Sequence, residues 1–255
     1  MPNSSNAECY SLDHVAFGVS DVADVVPFLA GTLGGREFDL GPGIGFRWWQ
    51  WRYERDGVIE VIQPEGDGTS FVDRFLAARG PGIHHITFKV PDLPTAAQRV
   101  KSHGYDVFGY FDEIPSWKEF FIHPKQAQGI VVQLAESNPE LGPSFPDEGV
   151  FPESPEPNGD PADIAAIRLS ATSAERARRQ WGLVLGGACE EDGALLRFGW
   201  EGSALEVVVQ VDANAPEGPL AIELAEAPQG LSQGIAHPAL GARFLKRSSA
   251  PITSE

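Results

Sequence analysis

Four polar residues at matching positions of a repeated pattern are the strongest indication of chemistry in this chain. His14 and His85 stand at the same position of two similar segments, LDHVAFGV and IHHITFKV. Glu60 and Gln133 stand at equivalent positions of two later segments, VIEVIQ and IVVQL. Two copies of one unit, related by a pseudo-twofold axis, would bring these side chains together on one concave sheet face. Two imidazoles and two oxygen donors suit Zn, Ni, Co, Mn or Fe, with open positions left for a substrate.

The sequence therefore predicts one divalent metal ion, bound by His14, Glu60, His85 and Gln133. A single histidine on a strand is usually structural, so the prediction depends on the symmetric placement of all four residues. Glu60 and Gln133 are also the candidate catalytic residues. A neutral glutamine in place of a second carboxylate leaves more positive charge on the ion, which strengthens it as a Lewis acid. Because strand side chains alternate, His84 is expected to face away from the ion.

Hydrophobic periodicity predicts the elements that must position these residues. The predicted elements of residues 10–136 are, in chain order, strand Leu12–Val19, helix Asp21–Leu33, strands Phe46–Tyr53, Val58–Gln63 and Ile83–Val90, helix Pro94–Ser102, and strands Phe120–Ile122 and Ile130–Leu134. Each predicted helix is followed by glycine, a common helix stop. The order strand, helix, strands therefore occurs twice, and internal repetition is the main organisational feature of this part.

An aromatic segment, FRWWQWRY, precedes Glu60 and is the second chemical signal. A two-residue turn at Asp56-Gly57 would pair Tyr53 with Glu60 across a hairpin. Aromatic walls with one arginine suit a flat or bulky carbonyl or carboxylate substrate. The predicted substrate-binding residues on the metal face are therefore Arg47, Trp49, Trp51 and Tyr53. Two alternatives stay open: the tryptophans can pack in the core or a subunit interface, and a bulge would exchange the two faces.

The rest of the chain predicts a linker and a second, degenerate module. Residues 137–161 contain seven prolines and almost no apolar periodicity, which indicates an exposed linker. Residues 162–255 then repeat the unit more faintly, without a clear strand and helix in the second half. We predict that this part is a truncated copy of the first module.

Matching segments of the second part assign its site positions. DIAAIRL matches DHVAFGV, which puts Ile164 at the position of the first histidine. LEVVV matches IEVIQ and puts Glu206 at the position of Glu60. LAIELAE matches IVVQLAE and puts Glu223 at the position of Gln133. Two carboxylates without an imidazole make a poor site for these metals, so no metal is predicted there.

Composition limits the class of protein and its partners. The net charge of −17 over 255 residues disfavours binding to nucleic acid and to anionic lipid. The N-terminus lacks the pattern of a signal peptide, and no apolar run reaches the length of a membrane span. Cys9 and Cys189 lie far apart in sequence and indicate no disulfide framework, so a reducing, cytoplasmic location is expected. The oligomeric state, including a homodimer, stays open.

The motifs LDHVAFGV, GVIEVIQP, GPGIHHITFKVPDL and FIHPKQAQGIVVQL resemble the glyoxalase and methylmalonyl-CoA epimerase branch of the vicinal oxygen chelate superfamily. The resemblance covers residues 11 to 136. It implies an α+β fold in which paired βαβββ units form a cup-shaped sheet, here as two tandem modules. It assigns the metal ligands to His14, Glu60, His85 and Gln133. It also implies proton removal next to a metal-bound carbonyl of a small carbonyl or thioester substrate.

Two departures from the epimerase pattern leave the reaction open. Residues 41–53 hold no carboxylate, and Gln133 replaces the glutamate of the closing strand, so the pair of proton-transferring carboxylates is missing. The nearby acids that could supply a base are Asp112, Glu113 and Glu119. The alternatives to an acyl-CoA epimerase or isomerase are a glyoxalase I-type lyase, an extradiol dioxygenase and a non-catalytic small-molecule-binding protein.

Overall fold

The computed structural model describes residues 10–142, 149–226, 228, 231, 234–248, 250 and 252. The first sheet contains β1 (Ser11–Gly18), β2 (Arg36–Gly43), β3 (Phe46–Arg52), β4 (Val58–Pro64), β5 (Gly82–Lys89), β6 (Val107–Ile114), β7 (Trp117–Ile122) and β8 (Val131–Ser137). The second contains β9 (Ile164–Ala171), β10 (Ala188–Asp192), β11 (Leu195–Gly199), β12 (Glu206–Val211), β13 (Gly218–Leu224), β14 (Ile235–His237) and β15 (Ala242–Lys246). The α-helices are α1 (Phe71–Arg79), α2 (Leu93–Ser102) and α3 (Ala174–Ala177), and π-helical segments span Pro27–Thr32 and Arg178–Val184.

The first sheet has two matching halves, as the sequence repeat predicts. Its strand order is β2-β3-β4-β1-β5-β8-β7-β6, so the antiparallel pair β1 and β5 lies at the centre. Ala16 of β1 pairs with Glu60 of the parallel strand β4, and Thr87 of β5 pairs with Gln133 of the parallel strand β8. The equivalence of Glu60 and Gln133 that the sequence predicted is therefore a matched register in the sheet. The paired βαβββ units and the cup-shaped sheet are confirmed.

Within the residues that the structure describes, the second sheet repeats the same order without one edge strand. Its order is β10-β11-β12-β9-β13-β15-β14, in which β9 occupies the place of β1. β13 is antiparallel to β9 and occupies the place of β5, so the alignment of LAIELAE with the closing strand β8 was wrong. Ala166 pairs with Glu223 as Ala16 pairs with His85, so Glu223 stands at the position of the second histidine. The truncated second module is confirmed, with β15 as its closing strand.

The two sheets share one hydrophobic core. Phe17 of β1 stacks on Phe244 of β15 with ring centroids 6.1 Å apart. Phe88 of β5 meets Trp200 of the second module edge-on at 4.8 Å. These aromatic residues alternate with the polar residues of β1 and β5, so the core lies against the face opposite to His14 and His85. The apolar faces of the two modules pack against each other, so the polar concave face of the first sheet lies outside the shared core.

The segment between the two sheets contacts the first module. The indole N–H of Trp49 donates to the carbonyl of Val150 at 3.1 Å, and Phe151 meets Trp51 edge-on. The backbone N–H of Asn158 donates to the carbonyl of a residue in the first π-helical segment. Most side chains of the segment are exposed or half-buried, yet the chain is fixed at these points.

The sequence also predicted no disulfide framework and no membrane span, and two structural observations bear on these predictions. Cys189 is exposed and unpaired, whereas Cys9 lies outside the described residues. Among the helices that the structure describes, none is long and apolar enough to cross a membrane.

Candidate metal centre

His14 reaches the concave face of the first sheet from the centre of β1. Leu12 pairs with Phe88 and His14 pairs with Thr87, so Asp13 is an extra residue in β1 and forms a β-bulge. The bulge lets the Asp13 carboxylate accept a hydrogen bond from Nδ1 of His14 at 2.7 Å. With its proton held on Nδ1, the ring presents the lone pair of Nε2 to the concave face.

His85 reaches the same face from β5, beside a second bulge. Ala16 pairs with His85 and Phe17 pairs with Ile83, so His84 is the extra residue. The prediction that His84 faces away was therefore wrong, because the bulge interrupts the alternation. The His84 ring packs against two phenylalanines of α1, and its Nδ1 lies 2.9 Å from Nδ1 of His85.

The donor atoms of His14, Glu60 and His85 converge at one point in the cup. Nε2 of His14 lies 3.5 Å from Oε2 of Glu60, and Nε2 of His85 lies 3.6 Å from Oε1 of Glu60. One ligand atom from each of the three residues lies within 4.8 Å of the other two. Two donors arranged tetrahedrally about one ion at about 2.1 Å lie about 3.4 Å apart. The observed separations therefore fit a single divalent transition-metal ion with little rearrangement.

The fourth predicted ligand, Gln133, contacts the other candidate ligands through Thr87, a residue that was not predicted from the sequence. The Thr87 hydroxyl donates to Oε1 of Gln133 at 2.5 Å and lies 2.9 Å from Nε2 of His14. The amide of Gln133 donates in turn to Oε2 of Glu119 at 2.6 Å. Oε1 of Gln133 thus points toward the cluster, which keeps this residue as the candidate fourth ligand. Thr87 stands two residues after His85, a spacing that predicts the same strand face.

Burial determines the charge of the cluster. Burial raises the pKa of Glu60 above its ordinary value of 4.5, although nearby His14 and a 2.9 Å hydrogen bond from Gln50 oppose the rise. Burial holds the pKa of His85 well below 6.5, and nearby His84 and His14 add to this effect. A neutral imidazole keeps the lone pair that a metal requires. A divalent cation would also offset the desolvated charge of Glu60, so the donor set fits a metal.

The prediction for the aromatic segment was wrong in register. Gln50, not Tyr53, pairs with Glu60. The turn between β3 and β4 is longer than two residues: Arg55 and Asp56 adopt positive φ, and the N–H of Tyr53 donates to the carbonyl of Gly57. The register moves by an odd number of residues, which exchanges the two faces of β3.

The predicted substrate-binding residues therefore lie away from the cluster. Trp49, Trp51 and Tyr53 are buried in the core behind the sheet. Arg47 pairs with Gln63 near the strand end, and its Nε lies 3.5 Å from a Glu65 carboxylate oxygen. Strand alternation places Trp48, Gln50 and Arg52 on the concave face instead.

Two further residues of the concave face, Lys89 and Trp117, were not predicted, whereas Glu119 was among the acids expected to be able to supply a base. The Lys89 ammonium lies 3.8 Å from the centroid of a Trp117 ring and 3.9 Å from an Asp13 oxygen. The indole N–H of Trp117 donates to Oε2 of Glu119 at 2.8 Å. Their signal in the sequence was their position: Lys89 follows His85 by four residues on one strand, and Glu119 flanks Gln133 across β7 and β8.

The corresponding face of the second sheet is filled by ion pairs. Arg168 Nε donates to Oε1 of Glu223 at 2.5 Å, and Arg197 lies 3.1 Å from the other oxygen of Glu223. The Arg247 guanidinium lies 2.7 Å from Glu206. Both carboxylates that the sequence analysis singled out in this module are thus neutralised by arginine. Arg168 also binds the carbonyl of Ala250, so the C-terminal segment covers this face.

Residues 13–121 match the Glyoxalase/Bleomycin resistance protein/Dioxygenase superfamily. An ethylmalonyl-CoA/methylmalonyl-CoA epimerase of Cereibacter sphaeroides is 30% identical over 132 residues, which cover 48% of this chain and 95% of that protein. The solved methylmalonyl-CoA epimerase from Mycobacterium tuberculosis is 26% identical, with a TM-score of 0.48 and coverage of 55% of this chain and 96% of that one. A hypothetical protein from Bacillus halodurans C-125 is 26% identical, with a TM-score of 0.47 and coverage of 51% and 95%.

Proposed function

This chain belongs to the Glyoxalase/Bleomycin resistance protein/Dioxygenase superfamily, and we propose that it is a metal-dependent enzyme that moves a proton at the carbon next to a substrate carbonyl. The observation that carries the proposal is the buried convergence of His14, Glu60 and His85, with Gln133 beside it. A divalent ion held there would supply Lewis-acid stabilisation of the oxyanion that forms when the proton leaves. The reaction also requires a base that accepts the proton, and we assign this role to a side chain of the cup.

The proposed proton acceptor is Glu119. Its Oε2 accepts hydrogen bonds from Gln133 and from Trp117. These bonds orient the carboxylate, and neither of them uses Oε1. Glu119 is half-buried on the concave face, whereas Glu113 of β6 is exposed. Gln133 cannot take this role, because an amide does not accept a proton at neutral pH. Only the amide group of Gln133 lies between Glu119 and the candidate ligand atom, which is Oε1 of Gln133. The carbon next to a carbonyl bound at the metal site would therefore lie close to Glu119.

The proposed substrate is an acyl thioester, and epimerisation or isomerisation is the proposed outcome. Support comes from the curated epimerase relative, which is named for ethylmalonyl-CoA and methylmalonyl-CoA and of which this chain covers 95%. The enclosed, preorganised cluster suits the same class of chemistry, because the oxyanion of a thioester needs a fixed positive charge.

The proposal is tested by metal content and by proton exchange. Protein purified without chelator should contain about one divalent ion per chain, as measured by elemental analysis. In D₂O, the protein should exchange the proton next to the carbonyl in 2-substituted acyl thioesters, as followed by NMR. Protein that contains no ion, and that also fails to take up Zn, Ni, Co or Mn, would contradict the proposal.

A dioxygenase is the second candidate, and one observation favours it. His14, His85 and Glu60 form a set of two imidazoles and one carboxylate, which non-haem iron oxygenases also use. Assays of the same purified protein distinguish the two functions. Consumption of oxygen with a catechol by the iron-loaded form, without thioester proton exchange by any metal form, would replace the epimerase proposal with this one.

A further inference from the structure

The two halves of the first sheet differ at one pair of matching positions beside the candidate ligands. In one half, Ala16 of β1 pairs with Glu60 of the neighbouring parallel strand. In the other half, Thr87 of β5 pairs with Gln133 of the neighbouring parallel strand. Both Ala16 and Thr87 are fully buried. The repeat therefore places a hydroxyl group beside the amide and only a methyl group beside the carboxylate.

A carboxylate and an amide place different demands on their surroundings. The two oxygens of Glu60 are chemically equivalent, so either of them can face a metal ion. The amide of Gln133 has one oxygen and one –NH₂ group, and the –NH₂ group only donates hydrogen bonds. Gln133 is therefore a ligand only when its Oε1 is directed toward the cluster. Its hydrogen-bond partners have to select that orientation.

Two hydrogen bonds hold the Gln133 amide from its two ends. Nε2 donates to Oε2 of Glu119 at 2.6 Å, and an ionised carboxylate can only accept. The Thr87 hydroxyl donates to Oε1 at 2.5 Å. Reversal of the amide would set its oxygen against the Glu119 carboxylate and turn the –NH₂ group toward the cluster. Both partners thus favour the orientation in which Gln133 can bind an ion.

The neighbouring histidine determines where the Thr87 hydroxyl directs its proton. Nε2 of His14 lies 2.9 Å from the hydroxyl oxygen, and the Asp13 carboxylate holds the proton of this ring on Nδ1. Nε2 is then an acceptor, and a bound divalent ion would occupy its lone pair. The single hydroxyl proton is left for Oε1 of Gln133, the nearer of the two acceptors.

We propose that Thr87 is a positioning residue of the metal centre, whose hydroxyl holds the Gln133 amide with its oxygen toward the ion and its –NH₂ group toward Glu119. This inference rests on the proposed function. The same amide orients the proposed base, so one hydroxyl sets both the fourth ligand and the direction of the Glu119 carboxylate. Buried hydrogen bonds in a chain polarise and strengthen one another, which makes the first donor of the chain important for the rest.

The hydroxyl can be removed with little change of shape. Thr87→Val replaces it with a methyl group and keeps the β-branched side chain. Thr87→Ser keeps the hydroxyl, and Thr87→Ala gives this position the side chain of its symmetric counterpart, Ala16. The control is Ser170→Ala in the central strand β9 of the second sheet. Ser170 is 2% exposed, and its hydroxyl has no hydrogen-bond partner in the described part of the chain.

The metal affinity and the visible spectrum of the Co²⁺-loaded full-length protein test the proposal. Competition with a chromogenic chelator gives the affinity, and the Co²⁺ absorption reports the number and arrangement of the ligands. Thr87→Val should lower Co²⁺ affinity about 10–100-fold, the usual loss for an outer partner of a ligand, and should change the spectrum. Thr87→Ser should retain the native affinity and spectrum, and Ser170→Ala should do the same.

A double replacement separates positioning from a general loss of structure. In a Gln133→Ala background the amide that Thr87 orients is absent. Thr87→Val should then change Co²⁺ affinity by less than about twofold, because residues that act through one contact are not additive. Circular dichroism shows whether each variant is folded. If Thr87→Val does not fold, Thr87→Ala takes its place in every comparison.

Contrary results identify which proposal fails. A folded Thr87→Val protein with native Co²⁺ affinity and spectrum overturns the positioning role, and so does a loss that persists in the Gln133→Ala background. Thioester proton exchange by the native protein, without the dependence of Co²⁺ binding on Thr87, overturns the positioning role alone. Co²⁺ binding that depends on Thr87, without any proton exchange, leaves the positioning of Gln133 standing and overturns the proposed function. A native protein that takes up no Co²⁺ overturns both.

Discussion

The carboxylate of Asp13 accepts a hydrogen bond from Nδ1 of His14, the residue that follows it, at 2.7 Å. Neighbouring side chains of a regular strand point to opposite faces, and the β-bulge removes that restriction. The contact fixes the ring orientation and leaves Nε2 free toward Glu60, as the outer carboxylates of many metal-bound histidines do.

Asp13→Asn should weaken metal binding without removing a ligand. An amide can still contact the ring, but it does not stabilise the positive charge that develops on a metal-bound imidazole. Loss of an outer partner of this kind typically lowers metal affinity about 10–100-fold. Competition with a chromogenic chelator measures the affinity. Asp24→Asn, at an exposed position, is the control. An unchanged affinity for Asp13→Asn would mean that the contact does not orient a ligand.

His85→Ala should abolish stoichiometric metal binding, whereas His84→Gln should retain it. The Nε2 atom of His85 lies 3.6 Å from Glu60, but His84 is occupied by the aromatic rings of α1. Elemental analysis after dialysis measures the bound ion. Circular dichroism shows whether each variant is folded. A folded His85→Ala protein that keeps a full equivalent of metal would exclude His85 as a ligand.

The sequence predicted that the candidate ligands lie close together because a repeated unit imposes a repeated register. The two imidazoles and the two oxygen donors were assigned from symmetry, and the pairs Ala16–Glu60 and Thr87–Gln133 have that symmetry. Bulges are not visible in the same pattern, because one extra residue leaves the apolar alternation on both sides intact. For that reason the contact of Asp13 was not predicted, and the predicted direction of His84 was wrong.

Prediction from short sequence segments also gave wrong results where pairing with distant strands determines the structure. The turn before Glu60 depends on Arg55 in the left-handed region, and arginine is not a usual signal for that conformation. LAIELAE resembles the closing strand of the first module, yet it forms β13 beside β9. Apolar strands of similar composition fit both places, so only the complete sheet determines which one a segment occupies.

The metal-free protein should lose stability as the pH falls from about 6.5 to about 4. Burial, with a smaller contribution from Arg79, lowers the pKa of His84 from 6.5 to about 4. The unfolded chain therefore binds a proton in this range that the folded chain excludes. The stabilisation is present above pH 6.5 and is lost on acidification toward pH 4. The loss from this group is about 2–3 kcal/mol, at 1.36 kcal/mol per pKa unit with some reduction for solvent screening.

Chemical denaturation at several pH values, for the native protein and for His84→Gln, measures this contribution. The difference between the two proteins should change with pH across that range and be constant above pH 7. His85 also has a lowered pKa, so some pH dependence remains in the variant. A His84→Gln protein with the same pH profile as the native one would show that His84 does not titrate in the folded state.

Arg168→Ala should destabilise the protein far more than the loss of an exposed arginine. Arg168 is 2% exposed, and its Nε donates to Oε1 of the fully buried Glu223 at 2.5 Å. Removal of one partner leaves a buried charge with less compensation, which typically costs about 3–5 kcal/mol. Arg197 still contacts Glu223 at 3.1 Å, so the expected loss is near the lower value. Arg176→Ala is the control, because its pair with Glu217 is exposed and worth about 0–1 kcal/mol.

Urea unfolding of the variants measures these losses, and the double replacement Arg168→Met with Glu223→Leu separates charge from packing. If the loss comes from the uncompensated carboxylate, the double replacement should recover most of the stability, because no buried charge is left unpaired. Metal affinity should be unchanged in every variant, since Arg168 and Glu223 line the second sheet and the candidate metal ligands lie on the first. An Arg168→Ala loss no larger than that of Arg176→Ala would show that the ion pairs do not hold the second module together.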